Sequence, residues 1–434
     1  MSSALPNPAL LSYDQAAALV ADYAGQLARR LPASSPGREC VELGQATGRV
    51  LAQPILADCD QPPFTRSTRD GYACRAAEAS TRTFLAIAGS TRAGDPPAGP
   101  LPPAAAWEIM TGAQLPAGAD AVMMFEHAES AGKSKARRVR LLPPRNLEPG
   151  ENLVPQGAQG HAGDELLPAG NLLHSGQIAL AAACGYATLE VFRRPRVAIL
   201  STGDELVSVD ASPAAGQIRN SNAPMLASMV ARAGGEPWVL PTAADNAQAL
   251  DDALMLASTA DLLLISGGVS AGKFDLVEPA LARLRARFHF TGVRMQPGKP
   301  TVFGELPRGK KAGRRSMALL FFGLPGNPIA SAVTFLLFAS PVLAALAGSR
   351  IACPRFAMAR LAPPVDRNAK SGLTRFLPAF CDFGAVAGEP PRVAFVPWHG
   401  SGDLTALARS NCFLVIPEDV KSLKPDSLVR ILLP

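Results

Sequence analysis

Apolar residues recur at helical spacing through SYDQAAALVADYAGQLARR, residues 12–30, which predicts a first amphipathic helix. From 60 to 145 the rhythm changes. Short apolar runs (GYACRA, TFLAIAG, WEIMTGA, DAVMMFE, RRVRLL) are separated by Gly and Pro, the pattern of a small, mainly β unit. RNLEPGENLVPQGAQGHAGDELLPAGN is punctuated by the same residues and is expected to cross back to the first region, before a helix in HSGQIALAAACG, residues 174–185. Between 195 and 347 near-continuous apolar strands alternate with helices. The predicted strands begin at RVAIL, EPWVL, ADLLLIS and MALLFFG; helices are predicted in NAPMLASMVARAGG, AQALDDALMLAS, LVEPALARLRARF and NPIASAVTFLLF. That alternation predicts a mostly parallel, doubly wound sheet covered on both faces. After 350 short alternating strands return, predicting a C-terminal β-barrel or sandwich. Four units follow: an extended linker from 1–57 with 145–190, a small β domain at 58–144, an α/β domain at 191–347, and a barrel at 348–434.

In such sheets ligands bind beyond the carboxyl ends of the strands, where STGDE, SGGVSAGKFD and GLPGNP all fall. SGGVSAGKFD nearly spells a P-loop: G-x-x-x-x-G-K runs from Gly267, but Phe274 stands where a metal-binding hydroxyl is needed. The loop also follows the third strand of its domain rather than the first. What remains is a glycine-rich turn whose N–H groups face an anion near a helix N-terminus.

Bulk properties narrow the classes. The 434 residues, 48% hydrophobic and 18% charged, can bury cores and exclude general disorder. A net charge of +6 is mild and dispersed, which favours small anions over nucleic acid. The basic run KSKARRVR, 133–140, has no interleaved aromatic to stack bases and reads as a solvated loop or edge strand. Seven scattered cysteines without a C-x-x-C point to a reduced, cytoplasmic protein. The N-terminal sequence lacks the pattern of a signal peptide. ASAVTFLLFASPVLAALAG, 330–348, approaches membrane-span length, yet Pro341 predicts two shorter buried helices instead.

Seven motifs then occur in a telling order: RDGYA (69–73), IMTGAQLPAGADAVMMFE (109–126), STGDEL (201–206), GQIRNSN (216–222), SGGVSAGKFD (266–275), QPGKPTVFG (296–304) and GLPGNPIASAVTF (323–335). In order and spacing the chain closely resembles the molybdopterin molybdenumtransferase, or MoeA, family, which includes the E domain of gephyrin. The resemblance extends through GSGDLTALARSN near the C-terminus. It implies a four-domain homodimer with a molybdopterin-binding α/β domain. It also implies that adenylylated molybdopterin and molybdate react with Mg²⁺ to give molybdenum cofactor and AMP, with a molybdopterin adenylyltransferase as substrate donor.

The residues suit that chemistry. Glu205, Asp245 and Asp275 sit at consecutive strand ends, and hard oxygen ligands of this type suit Mg²⁺ beside a phosphate. Taken singly, each is also what a helix cap or solvated acid looks like. Ser266, Gly267, Gly268 and Ser270 offer donors to an anion, and Lys273 and Lys299 are point charges for phosphate or molybdate. In Pro325, Gly326, Asn327 and Pro328 the prolines fix φ, Gly326 permits an unusual one, and Asn327 can cap the helix begun by Pro328. The resemblance adds Asp70 and Thr111, completing the site across the dimer. Three positions depart from the family pattern: Arg69 before Asp70, Gln159 where a carboxylate is usual, and Lys273, each making the site less negative. Two rivals remain: a related α/β enzyme that adenylylates molybdopterin or cleaves a pyrophosphate, and a non-catalytic scaffold. The five histidines do not cluster, which gives zinc catalysis or a catalytic triad little support.

Overall fold

The computed structural model describes residues 10–34, 37–133, 136–268, 276–308, 318–362, 372–384, 389–420 and 423–434. Helix α1 (Tyr13–Ser34) opens with a reciprocal cap: Ser12 N donates to Gln15 Oε1 at 2.9 Å and Gln15 N to Ser12 Oγ at 3.1 Å. Its apolar stripe, Tyr13, Ala16, Val20, Ala24 and Leu27, is buried in one core with α/β and barrel residues. Tyr13 meets Phe338 and Phe376 at ring-centroid distances of 6.5 and 5.2 Å. The helix thus packs with those domains. A stripe of this kind declares that it needs a partner without saying which.

Beyond α1 the chain climbs and returns along one stalk. Arg38–Glu42 pairs with Thr188–Phe192, Ile55–Leu56 with Glu165–Leu167, and Arg66–Ser67 with Leu153–Val154, all antiparallel. At its tip sits a six-stranded sheet: β1 (Gly71–Cys74), β2 (Leu85–Thr91), β3 (Ala105–Ile109), β4 (Ala121–Met124), β5 (Ala128–Ala131) and β6 (Arg138–Leu141), ordered β4-β1-β3-β2-β6-β5. Gly71 of RDGYA is required by close approach, since a Cβ there would lie 2.1 Å from Met123 O. Helix α2 (Ser175–Ala183) packs where the stalk returns.

The α/β domain comprises β7 (Arg196–Ser201), α3 (Asn222–Arg232), β8 (Glu236–Val239), α4 (Ala247–Ala257), β9 (Leu262–Ser266), α5 (Val277–Arg283) and β10 (Arg287–Phe290). After β11 (Val293–Gln296) come β12 (Val302–Leu306), β13 (Leu319–Leu324), α6 (Pro328–Thr334) and α7 (Ser340–Leu346). The sheet runs β8-β7-β9-β13-β12-β10; the first four strands are parallel, and β12 and β10 add an antiparallel edge. Every residue of β9 and β13 is buried, as their unbroken apolar runs require. The helix predicted through LVEPALARLRARF stops early. Arg285 takes φ +61°, a left-handed conformation that ends α5, and the remaining apolar residues alternate in β10.

Between α6 and α7 the chain stays helical. A π-helical turn, Phe335–Ala339, widens the ladder just ahead of Pro341, where two separate helices had been expected. Among the described residues Pro328–Leu346 is the one helix long and apolar enough to cross a membrane, but 83% of its most apolar window is buried inside the chain.

Five strands close the C-terminal barrel: β14 (Phe356–Leu361), β15 (Thr374–Asp382), β16 (Arg392–Phe395), β17 (Cys412–Ile416) and β18 (Leu428–Leu432), with α8 (Leu404–Arg409) before β17. The ring runs β15-β16-β14-β18-β17, and pairing of β17 with β15 completes it. Leu11–Ser12 pairs with β11, and β11 with β15, both parallel, so backbone hydrogen bonds attach the barrel to the α/β domain.

Candidate functional site

The carboxyl ends of β7, β9 and β13 open on a cavity of about 750 Å³, lined by Thr202, Glu205, Asn222, Ser266, Gly267 and Asn327, among others. A neighbouring cavity of about 430 Å³ is lined by Gln296, Lys299, Pro325, Trp398 and Ser401, and again by Asn327. The turn from Pro325 to Asn327 therefore stands between two compartments.

Local sequence explains the partition. After β9 the chain turns through Gly267 and Gly268 at φ +93° and +62°, conformations that glycine enters without steric cost. A Cβ on Gly267 would lie 2.7 Å from Thr202 O, so this glycine is also required by packing. Gly326 differs from the expectation of an unusual φ. Its conformation is not left-handed, and a Cβ there would lie 3.6 Å from the Gly267 Cα, an ordinary contact. Asn327 holds the N-cap position of α6, yet its side chain does not cap. Instead Nδ2 donates to Ser401 Oγ at 2.8 Å. Ile329 N donates to Ser401 O at 3.0 Å, so a barrel loop walls both compartments. Asp403 shapes that loop, accepting from His399 N and Ala406 N, each at 3.0 Å.

One side chain organises the larger cavity. Asn222 Nδ2 donates to Ser266 Oγ at 2.8 Å and to Gly326 O at 2.6 Å, tying α3 to two strand-end turns. Its Oδ1, and Thr202 Oγ1, are buried with no hydrogen-bond partner among the described residues. In the barrel, Arg375 is only 6% exposed; its Nη2 donates to Val420 O at 3.4 Å, and its Nε has no partner among the described residues. Arg375 lies in register with Gln296 on the smaller cavity. Sequence reading missed Thr202, Asn222, Ser401 and Arg375 as site residues. All but Arg375 stand in stretches already singled out; for Thr202, Asn222 and Arg375 the distinguishing signal is burial, and for Ser401 its bond to Asn327, neither of which the sequence displays.

The sequence-predicted residues divide by place. Glu205, Ser266, Gly267, Gly326, Asn327 and Pro328 line the larger cavity, while Lys299, Pro325 and Asn327 line the smaller. Gly268 continues the turn from Gly267. Asp245 lines neither. Its Oδ2 accepts from Asp204 N at 3.4 Å while Asp204 Oδ1 accepts from Asp245 N at 3.0 Å, a reciprocal clasp between the loops after β7 and β8. Among the described residues no three Asp, Glu, His or Cys side chains converge as a metal set. Ser270, Lys273 and Asp275 lie outside the described residues, so the proposed grouping of Glu205, Asp245 and Asp275 does too. Asp70 and Thr111 are brought together at the tip of the stalk, where Thr111 N and Oγ1 both donate to Asp70 Oδ1 at 2.7 Å. Neither lines either of the two cavities described above. Gln159 is exposed on the stalk, its N donating to Gln61 O at 2.8 Å.

The backbone donor of Thr111, then its hydroxyl, hold the Asp70 carboxyl below the usual carboxylate range. Backbone donors, Ala406 first and then His399, do the same for Asp403. Depressed carboxyls contribute stability that is fully present above their unfolded value near 4 and is lost as pH falls through the lower folded values. Acid unfolding should therefore steepen below about pH 4. Asp70→Asn should remove part of that dependence, as read by unfolding titrations at several pH values.

Comparison with known proteins places these features. Residues 11–185 match the MoeA N-terminal region (domain I and II), 198–345 a probable molybdopterin binding domain, and 361–433 the MoeA C-terminal region (domain IV). The chain is 35% identical over 396 residues to a molybdopterin molybdenumtransferase of Nostoc sp., covering 88% of this chain and 86% of that protein. A Staphylococcus epidermidis protein of the same name is 31% identical over 401 residues, covering 91% and 90%. Two solved structures of a molybdopterin biosynthesis MoeA protein from Pyrococcus horikoshii are also similar. One aligns at TM-score 0.68 and 30% identity, covering 98% of this chain and 99% of that one. The other aligns at 0.74 and 26%, covering 98% and 100%.

Proposed function

The chain belongs to the molybdopterin molybdenumtransferase (MoeA) family of molybdenum cofactor biosynthesis, and from that premise we propose that it inserts molybdate into adenylylated molybdopterin, releasing AMP with Mg²⁺. The observation that carries this reading is the divided cleft. The larger compartment offers two strand-end backbone turns to an organic phosphoanhydride, while the smaller offers Lys299 to an oxyanion. Asn327 borders both, so two reactants would meet across the Pro325–Asn327 turn. The buried guanidinium of Arg375 adds positive charge on the barrel side.

Mg²⁺ commonly takes one or two carboxylates together with substrate phosphate oxygens and water. Glu205 on the larger cavity suits that requirement, with Asp245 and Asp275 as the further ligands we propose. When bound, the ion supplies Lewis-acid polarisation of the anhydride. The substrate donor we propose is a molybdopterin adenylyltransferase, the class of enzyme that forms such an anhydride. In the purified protein, AMP release from adenylylated molybdopterin should require both molybdate and Mg²⁺; release without molybdate would point to a pyrophosphate-cleaving enzyme instead.

Asp70 and Thr111, at the tip of the stalk, line neither compartment of the cleft in their own chain, so we also propose a homodimer in which they face the partner's α/β domain. Asp70→Asn and Glu205→Gln should each be inactive alone. Subunit exchange between them should restore turnover, because each mixed dimer then carries one intact site. No recovery after confirmed exchange would argue that each chain works by itself.

A further inference from the structure

We infer that Asn222 is a specificity-determining residue that reads the amino edge of the bound heterocycle, a role that rests on the function proposed above. Asn222 opens α3 and is 8% exposed. Its amide nitrogen is committed inside the protein, to Ser266 Oγ and Gly326 O. A backbone carbonyl only accepts, so the atom 2.6 Å from Gly326 O is the NH₂ group and the orientation of the amide is fixed. Oδ1 is thereby left as an acceptor, buried and without a partner among the described residues, in a side chain that lines the larger cavity.

An acceptor selects what can satisfy it. Ionised phosphate and molybdate oxygens are acceptors themselves and would repel Oδ1, so the anionic part of the substrate belongs elsewhere in the cleft. A ring N–H or an exocyclic amino group satisfies it. Adenylylated molybdopterin offers two: the 2-amino edge of the pterin and the 6-amino group of adenine. Each lies beside a ring nitrogen that accepts. Thr202 Oγ1, in a residue 7% exposed, is likewise unpaired and lines the same cavity. A hydroxyl can donate as well as accept, so the Asn222–Thr202 pair matches an edge that presents a donor next to an acceptor.

The test compares ligands that differ only at that edge, by calorimetric titration of the full-length protein. Pterin is set against lumazine, and AMP against IMP; in each second member an oxo group replaces the amino donor and the adjacent ring nitrogen carries a proton, so donor and acceptor exchange places along the edge. The wild type should prefer the amino member of one pair by about tenfold, or 1.4 kcal/mol, and the pair that discriminates identifies which ring Asn222 reads. Asn222→Ala should reduce the preference to within about twofold. Because that change also frees Gly326 O, Thr202→Val serves as the second variant. It sacrifices no hydrogen bond among the described residues, so its melting temperature should stay at or above wild type while the preferred ligand binds several-fold more weakly. Binding of pterin and AMP without discrimination, or discrimination that survives both substitutions, overturns the role of Asn222 and leaves the proposed function standing. Failure of the wild type to bind either ligand overturns both.

Discussion

Gly267→Ala is expected to cost about 2–5 kcal/mol of stability and to abolish substrate binding. Two penalties combine. A side chain at φ +93° enters the left-handed region, at roughly 1–2 kcal/mol. Its Cβ would also meet Thr202 O at 2.7 Å, a backbone atom that can retreat only by shifting the end of β7, at about 1–3 kcal/mol for overpacking. The shift would act on the cavity wall itself. Gly326→Ala is the natural control: it is not left-handed, and its nearest neighbour would be the Gly267 Cα at 3.6 Å, ordinary contact. Denaturant unfolding of the two variants should separate them by more than about 1 kcal/mol. Equal stabilities would show that the turn relaxes freely and is not a rigid wall.

Lys299→Ala should raise the KM for molybdate by about ten- to a hundredfold while leaving affinity for the organic substrate nearly unchanged, a free-energy loss of about 1.4–2.8 kcal/mol. The asymmetry follows from the partition: Lys299 lines the smaller cavity, and Thr202 and Asn222 the larger. Lys299 is exposed, so its attraction for a divalent oxyanion should weaken as salt shortens the Debye length from about 10 Å at 0.1 M to about 3 Å at 1 M. Lys299→Arg should recover most of the loss, since charge matters more here than a point donor. Equal losses for both reactants would mean that the two compartments act as one.

Much of the architecture was legible because burial on both faces writes itself as unbroken apolar runs; LLLIS and LLFFGL could only be central strands. The three strand-end turns were legible for the same reason, since glycine and proline mark where a parallel sheet delivers its loops. What the sequence left open concerns partners in space. The stripe of α1 fits several surfaces, and only the structure joins Tyr13 to Phe338 and Phe376. Pro341 signals a break, but a π-helical turn absorbs it. Asp245 was placed at a strand end by position, but its contact with the Asp204 backbone depends on two loops meeting in space. Asn327 was read as a helix cap and reaches across to Ser401. Asn222 and Thr202 were invisible as functional residues because their character lies in a buried atom left without a partner, which depends on the fold around it and on no local pattern.

The division of the cleft is tested most directly by soaking crystals of the full-length protein in molybdate and locating the metal by anomalous diffraction. The account predicts a peak in the compartment lined by Lys299, Trp398 and Ser401. A peak against Thr202 and Asn222, with none beside Lys299, would contradict it.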